Sequence, residues 1–373
     1  MKITSNSSYF YCKRRITAVR KKPKPLLFVL IALVVVVIVT LGTISYLKSP
    51  VDSKDDNIIQ VEIPANSGIS TIAKILKNRN LIKSETYFKV YVKIHNIKNL
   101  KASTYDLKKS MSLPSIINTL VEGNNYNPNT IKLTFKEGKR VTDYIALIAD
   151  NTNNTKEEVE KVFADKTYLN ELITKYWFLT DEILNSEIYY PLEGYLFPDT
   201  YYFNDKDVTV SKIIETMLDE MKNKLNDYKN KINNSQMTTH EILTLASIIE
   251  KEGKTGDFKD ISSVFHNRLN ISMKLQSCAT SYYGLGLEFT DVGIATAEMM
   301  NSQNPYNTYI VPALPVGPIS MPSLNAIEAA INPKNTNNLY FISDNEGKTY
   351  FFETAKEHAD KKNELIAAGK WER

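Results

Sequence analysis

Residues 26 to 47, "LLFVLIALVVVVIVTLGTISYL", run 22 residues without a charge. At about 1.5 Å per residue, a helix of this length spans roughly 33 Å, enough to cross a bilayer core of about 30 Å. Soluble core helices are seldom apolar on every side. A cleaved signal peptide has a shorter apolar run, of about 7–15 residues, followed by a small-x-small cleavage site. The run is therefore expected to be a single transmembrane helix. Residues 1–25 form a basic tail with eight Lys and Arg and no acid. Such a flank stays in the cytoplasm, which puts residues 48–373 outside.

This topology constrains the rest of the chain. The overall net charge is +4, so removing the eight positive charges of the tail leaves about −4 for the remainder. A nucleic-acid surface on the main domain is not implied. Cys12 and Cys278 fall on opposite sides of the membrane and cannot pair within one chain. The external part must be stabilised by its own core, and 43% hydrophobic and 24% charged residues are compatible with one.

Residues 48–56 read as a polar linker. "IIQVEIPANSGISTIAKILKNRNLI" then reads as strand, turn and helix, with Ile72, Ile75 and Leu76 at helical spacing. A second helix is expected at "SETYFKVYVKIHN". The theme repeats in "STYDLKKSMSLPSIINTLVEGN", with Ser112 or Ser115 as a cap. It repeats again in "TIKLTFKEGKRVTDYIALIADNT", where Ile131, Leu133 and Phe135 alternate. These units indicate α+β modules, not a doubly wound sheet. Residues 152–188, 207–232 and 238–252 read as helical. The aromatic stretch 189–203 contains Pro191, Gly194 and Pro198 and cannot be one long helix. A helix at about 323–331, a hairpin of "NLYFIS" with "KTYFFE", and a helix from about 354 close the chain.

The helix over 238–252 poses a chemical question. Thr238 and Glu241 form a capping-box pattern, and Gly253 is a natural stop. With Ile242 at 0°, the apolar face holds Ile248, Leu245, Ile249, Ile242, Ala246 and Leu243. Glu250 falls at roughly 80°, between Ala246 and Leu243, and Glu252 at roughly 280°, also near that face. A carboxyl at a helix C-terminus beside apolar neighbours has its pKa raised, the profile of a proton donor. Periodicity does not choose between the two acids. An ion-paired helix end, with Lys251 or Lys254 as partner, is the plainer alternative.

Several blocks, in order, resemble one family: the YceG-like endolytic murein (peptidoglycan) lytic transglycosylases. They are "KASTYDLKKSMSLPSI", "FKEGKRVTDYI", "LEGYLFPDTYYF", "LASIIEKEG", "VFHNRLNISMKLQS", "NPYNTY" with "ALPVGPIS", and "NLYFISDNEGKTYFFETAKEH". A single N-terminal membrane span also matches. The resemblance implies a small LysM-like, glycan-binding subdomain at 57–125 and a mixed α+β YceG-like catalytic domain at 126–373. It implies a bacterial cell-membrane protein with its catalytic domain extracellular or periplasmic. It further implies cleavage of the MurNAc-β-1,4-GlcNAc bond of nascent strands to leave 1,6-anhydroMurNAc ends, with no cofactor. Cell-wall synthases of the elongation or division machinery are the implied partners.

By the same resemblance, the first Glu of "EKE", Glu250, is the catalytic residue. That fits the chemistry, because an internal nucleophile lets one carboxyl act as both acid and base. Glu252 then supports the helix end or the electrostatics. Asn267 and Arg268 suit acetamido or peptide-stem groups. Gln276, Thr280, Tyr306, Asn307 and Thr308 are the candidate sugar groove, and "LPVGP" a rigid wall. Glu193 is a candidate supporting residue or a binder of turn amides. The family often has an Asp where this chain has Cys278.

Three strings shared with penicillin-binding enzymes, "SYLK" at 45–48, "KTG" at 254–256 and "SDN" at 343–345, stand in the wrong order and place for that chemistry. His95, His240, His266 and His358 are scattered without metal-ligand spacing, so no metal is expected. The remaining alternatives are a glycan hydrolase of similar fold that admits water and a non-catalytic wall-binding scaffold.

Overall fold

The computed structural model describes residues 25–123, 127, 129–253, 256–287 and 296–371. The basic tail to residue 24, with Cys12, lies outside the described residues, as do Lys254 and Thr255 of "KTG". Mixed helices and short strands make the chain α+β.

Helix α1 spans Pro25–Lys48. Val29, Leu33 to Val39 and Leu41 are each more than half exposed, whereas Ile44 and Leu47 near its end are partly buried. Among the described residues no helix is long and apolar enough to cross a membrane. The side chains at 25–28, 30 and 31 lie outside those residues, so only part of the 26–47 run is covered.

The chain divides into two compact units. The described residues of the first are 25–54, 63–102 and 109–123. Its helices are α1, α2 (Ile69–Asn78), α3 (Glu85–Ile94) and α4 (Leu113–Glu122). Ser84 caps α3 by accepting from Tyr87 N, and Ser112, one of the two expected residues, caps α4. Inside lie Ile72, Ala73 and Leu76 of α2, Phe88 and Val92 of α3, and Ile116, Ile117 and Leu120 of α4. The two-stranded sheet of β1 (Ile59–Ile63) and β2 (Ser103–Leu107) clusters, apart from Ile63, with the second unit. Residues of the 57–125 block thus fall in both units.

In the second unit, β3 (Ile131–Thr134) pairs antiparallel with β4 (Thr200–Phe203), Ile131 opposite Phe203. Helices α5 (Val141–Asn151), α6 (Lys156–Ala164) and α7 (Lys166–Lys175) lie between them in sequence, followed by a 3-10 turn at Asp181–Leu184. Next come α8 (Val210–Asn226) and α9 (Lys229–Asn233), broken at Asp227 and Tyr228 where sequence periodicity shows one helix. Then follow α10 (Thr239–Glu252), α11 (Phe258–Asn270), α12 (Cys278–Gly284), α13 (Ala297–Asn301) and α14 (Leu324–Ile331). The hairpin β5 (Tyr340–Ser343) and β6 (Thr349–Phe352) pairs antiparallel, and α15 (Ala355–Ala367) ends the chain. One core cluster of buried side chains extends from Leu133 to Ala330.

α10 is the axis of this unit. Its capping box forms: Thr238 Oγ1 accepts from Glu241 N at 3.2 Å, and Glu241 Oε2 accepts from Thr238 N at 2.8 Å. Every residue from Ile242 to Ile249 is buried, including Thr244 and Ser247 at 0% exposure. The sequence shows one apolar face; the fold covers the other as well, because α11, α12 and α14 all pack on this helix. Gly253 ends it in an extended conformation, φ −141°. A Cβ there would lie 2.2 Å from Ile261 Cδ1, so the glycine serves close approach of α11, not a left-handed cap.

Candidate active site

The segment 316–323 runs alongside α10 in the same direction. His240 Nε2 donates to Val316 O at 2.9 Å near the start of the helix. In the middle, Ile319 N donates to Ser247 Oγ at 3.0 Å and Ser320 Oγ to Ser247 O at 3.2 Å. At the end, Ser323 reaches Glu250: Ser323 N and Oγ donate to Glu250 Oε2 at 2.9 Å and 2.6 Å. His240, Ser247 and Glu250 on the helix thus bond an extended chain along it and satisfy polar groups that would otherwise be unpaired inside the protein. The "LPVGPIS" block forms this wall.

A second wall is the turn at 136–140. Gly138 N donates to Met321 O, and Met321 N to Lys139 O, both at 2.8 Å. Gly138 has φ +69°, and a Cβ there would lie 3.7 Å from Glu250 Cγ and 3.9 Å from Oε1. Lys251, on the far side of the helix, turns its Nζ to Gly138 O at 3.2 Å.

Glu250 is half-buried, and that burial raises its carboxyl above the usual range. The two Ser323 hydrogen bonds oppose the rise, the nearby Glu137 adds to it, and Lys251 reduces it. Oε2 is held by Ser323, whereas Oε1 has no hydrogen-bond partner among the described residues. A carboxyl whose pKa is raised by burial, with one oxygen held and the other without a hydrogen-bond partner among the described residues, is equipped to donate a proton.

Glu252, two residues on, is differently placed. It accepts a hydrogen bond from Ser277 Oγ and another from the Ala279 N–H, in the first turn of α12. Burial raises its pKa, while these bonds and the Arg268 charge oppose the rise. A carboxylate at a helix N-terminus is electrostatically favoured. Glu252 joins α10 to α12.

Glu193 is 1% exposed. Its two oxygens accept from Val141 N, the first residue of α5, at 3.1 Å and 3.2 Å, and Tyr283 Oη donates to Oε2 at 3.1 Å. Burial lifts its pKa to about 8, against the opposing pull of these bonds and of Arg140. The neighbouring Gly194 packs on Pro318, where a Cβ would come within 2.4 Å, and donates its N–H to Met321 Sδ at 3.2 Å. The Glu193–Gly194 turn therefore binds both walls beside Glu250.

The proposed sugar-binding side chains are mostly spent on the protein itself. Asn267 Nδ2 donates to Thr336 O and Asn338 O. Arg268 is 7% exposed and clamps Leu339 O, Lys274 O and Leu275 O. Thr280 and Thr308 hydrogen-bond each other, and Asn307 ties Ser281 and Tyr309 N to the carbonyls of residues 299, 300 and 302. Thr280, Tyr306, Asn307 and Thr308 are all 0% exposed. Gln276 alone of these is exposed, on a left-handed backbone with φ 54°. Cys278 Sγ lies 3.1 Å from Tyr309 Oη.

Two residues beside Glu250 escaped the sequence reading, Ser323 and Gly138. Ser323 carries a local signal, since it also caps α14 by accepting from Ala326 N. Nothing local connects either residue to a carboxyl far away in sequence.

The YceG-like family matches residues 61–364, and the chain belongs to it. A protein of Bacillus subtilis strain 168 named endolytic murein transglycosylase is 36% identical over 332 residues, 88% of this chain and 91% of that one. A protein of the same name from Streptococcus pneumoniae D39 is 35% identical over 323 residues, 83% of this chain but 58% of the longer relative. The crystal structure of a YceG-like protein from Listeria monocytogenes is similar with a TM-score of 0.59 at 36% identity. It covers 82% of this chain and 99% of that one.

Proposed function

We propose that this enzyme, a lytic transglycosylase, cuts nascent peptidoglycan strands internally at the MurNAc-β-1,4-GlcNAc bond, with Glu250 as the sole acid and base. The observation that carries the reading is the carboxyl of Glu250, half-buried, raised in pKa, held through Oε2 by Ser323 and open at Oε1. Glu250 protonates the glycosidic oxygen as the bond to the MurNAc anomeric carbon breaks. The C6 hydroxyl of the same MurNAc attacks that carbon and gives its proton to the Glu250 carboxylate. The products are a GlcNAc end and a 1,6-anhydroMurNAc end, and no water is consumed. Conventional glycosidases need a second carboxyl at about 5 to 9.5 Å, and an internal nucleophile removes that need.

The proposal extends to the setting. Residues 26–47 span the bacterial cell membrane with the basic tail in the cytoplasm. The catalytic part then faces the wall, beside cell-wall synthases, and the LysM-like region at 57–125 contacts glycan. Asn267, Arg268, Thr280, Tyr306, Asn307 and Thr308 shape the groove from behind, and Gln276 contacts sugar directly.

The test is product analysis of uncrosslinked glycan treated with the full chain in detergent. The wild type should release muropeptides whose new ends are one water lighter than reducing MurNAc. Reducing ends alone would favour the hydrolase instead. Glu250→Gln should lose about 10²–10⁴-fold in rate, the contribution of a general acid, with its thermal melt unchanged. Full activity in that variant would sink the assignment.

A further inference from the structure

α3 carries two apolar stripes. Phe88 and Val92 point inward and are buried. Tyr87, Val90, Tyr91 and Ile94, at i, i+3, i+4 and i+7, make a second stripe. Val90 is 44% exposed and Ile94 73%, more than any other large hydrophobic side chain described as exposed.

This stripe lies at the end of α1. Lys48, the last residue of α1, holds its Nζ 5.3 Å from the centre of the Tyr91 ring. Just ahead of the α3 cap, Lys83 Nζ donates to Tyr46 O at 3.1 Å and Ser49 Oγ at 2.7 Å, and sits 4.0 Å over the Tyr46 ring. The rings of Tyr87, Tyr91 and His95 follow one another along the helix, tilted to each other, with centroids 6.2 Å and 4.1 Å apart. Residues 83–98 hold Lys83, Lys89, Lys93 and Lys98 against one acid, Glu85.

We propose that this face of α3 lies in the outer interface of the membrane, with Val90 and Ile94 among the lipid chains and the tyrosines and lysines at headgroup level. The inference rests on the reading of 26–47 as a membrane span. The occupant follows from position, since α3 is bonded to the turn where the apolar helix ends. It also follows from composition: tyrosine belts and basic amphipathic helices suit that layer, and four lysines to one glutamate suit anionic headgroups. The effect is to hold the first unit against the lipid instead of letting it swing on a tether.

A fluorescent label at Ile94→Cys tests this, in the full chain with Cys12→Ser and Cys278→Ser, reconstituted in phosphatidylglycerol-containing vesicles. Blue-shifted emission, quenched by lipids with a shallow spin label, is expected at position 94 and at Val90→Cys. The same label at the exposed Lys74→Cys on α2 should remain water-like. Water-like emission at 90 and 94 in a chain that melts normally overturns the proposal. So does a blue shift that lipid quenchers do not touch, which would mean that protein covers the face. Alkaline extraction of the same vesicles reports on α1 separately. An anchored chain with unquenched labels defeats this inference alone, whereas an extractable chain defeats the span.

Discussion

Glu250 and Glu252 stand two residues apart in the last turn of α10, and burial raises the pKa of both. Their partners separate them. Glu252 is engaged by Ser277, by the first turn of α12 and by the charge of Arg268, itself locked onto main-chain carbonyls. Glu250 is bonded through one oxygen, to Ser323, and lies beside a glycine. A similar pKa direction thus accompanies two kinds of job, a strut between helices and a carboxyl with a free oxygen. Titration behaviour alone does not distinguish an acid that reacts from an acid that holds.

The contrast is sharpest if Glu250→Gln abolishes cleavage without moving the melt, as expected above. Glu252→Ala should do the reverse. It strands the Ser277 hydroxyl, the Ala279 N–H and the nearby Arg268 charge, at a cost of roughly 2–4 kcal/mol. The melting temperature should drop by on the order of 5–10 °C, and activity per folded molecule should fall far less than for Glu250→Gln. Equal loss of specific activity in a fully folded Glu252 variant would erase the distinction.

Glu193 gives an intermediate effect with a defined pH signature. Its pKa rises from 4.5 to about 8 on folding. The folded protein therefore holds a proton that the unfolded chain releases, and stability falls as pH rises through that window, by roughly 5 kcal/mol in total. Glu193→Gln keeps an acceptor for Val141 N and removes the titration. Melts recorded from pH 5 to pH 8 should slope downward for the wild type and lose most of that slope in the variant. An unchanged slope would refute the role of burial at this carboxyl.

Ser323→Ala should have the smallest effect on stability, about 1 kcal/mol for the lost cap of α14. Its chemical signature is more telling. The Ser323 hydroxyl favours the charged form of Glu250, so its loss should raise that pKa further. The alkaline fall of kcat/KM should move to higher pH, and a move to lower pH would contradict the assignment of the titrating acid.

Much of the second unit was legible because its signals are local. The Thr238–Glu241 box marks the start of α10 within one turn, and Ser112 marks α4. Alternation of Ile131 and Leu133 marks β3, and the hairpin at 340–352 follows its own turn. The breaks were less visible: 207–232 has continuous helical periodicity, yet the chain turns at Asp227 and Tyr228. The polar residues of the 267–308 blocks were harder still. Asn267, Arg268 and Asn307 are as apt for sugar as for carbonyls, and only the path of residues 299–302 and 336–339 settles which groups they meet.

The sequence by itself determined that α10 begins at a capping box and carries an acid at its far end beside apolar residues, because helix period and caps act over a few residues. It also determined an uncharged stretch long enough to be a membrane span. Only the tertiary structure decided that Ser247 would face Ile319 and that Ser323 and Gly138 would flank Glu250. It alone decided that Glu193 would hold the first amide of α5, 52 residues away. The reason is physical: a hydrogen bond such as Ser323 to Glu250, across 73 residues, exists only when the packing of all the intervening elements brings donor and acceptor together.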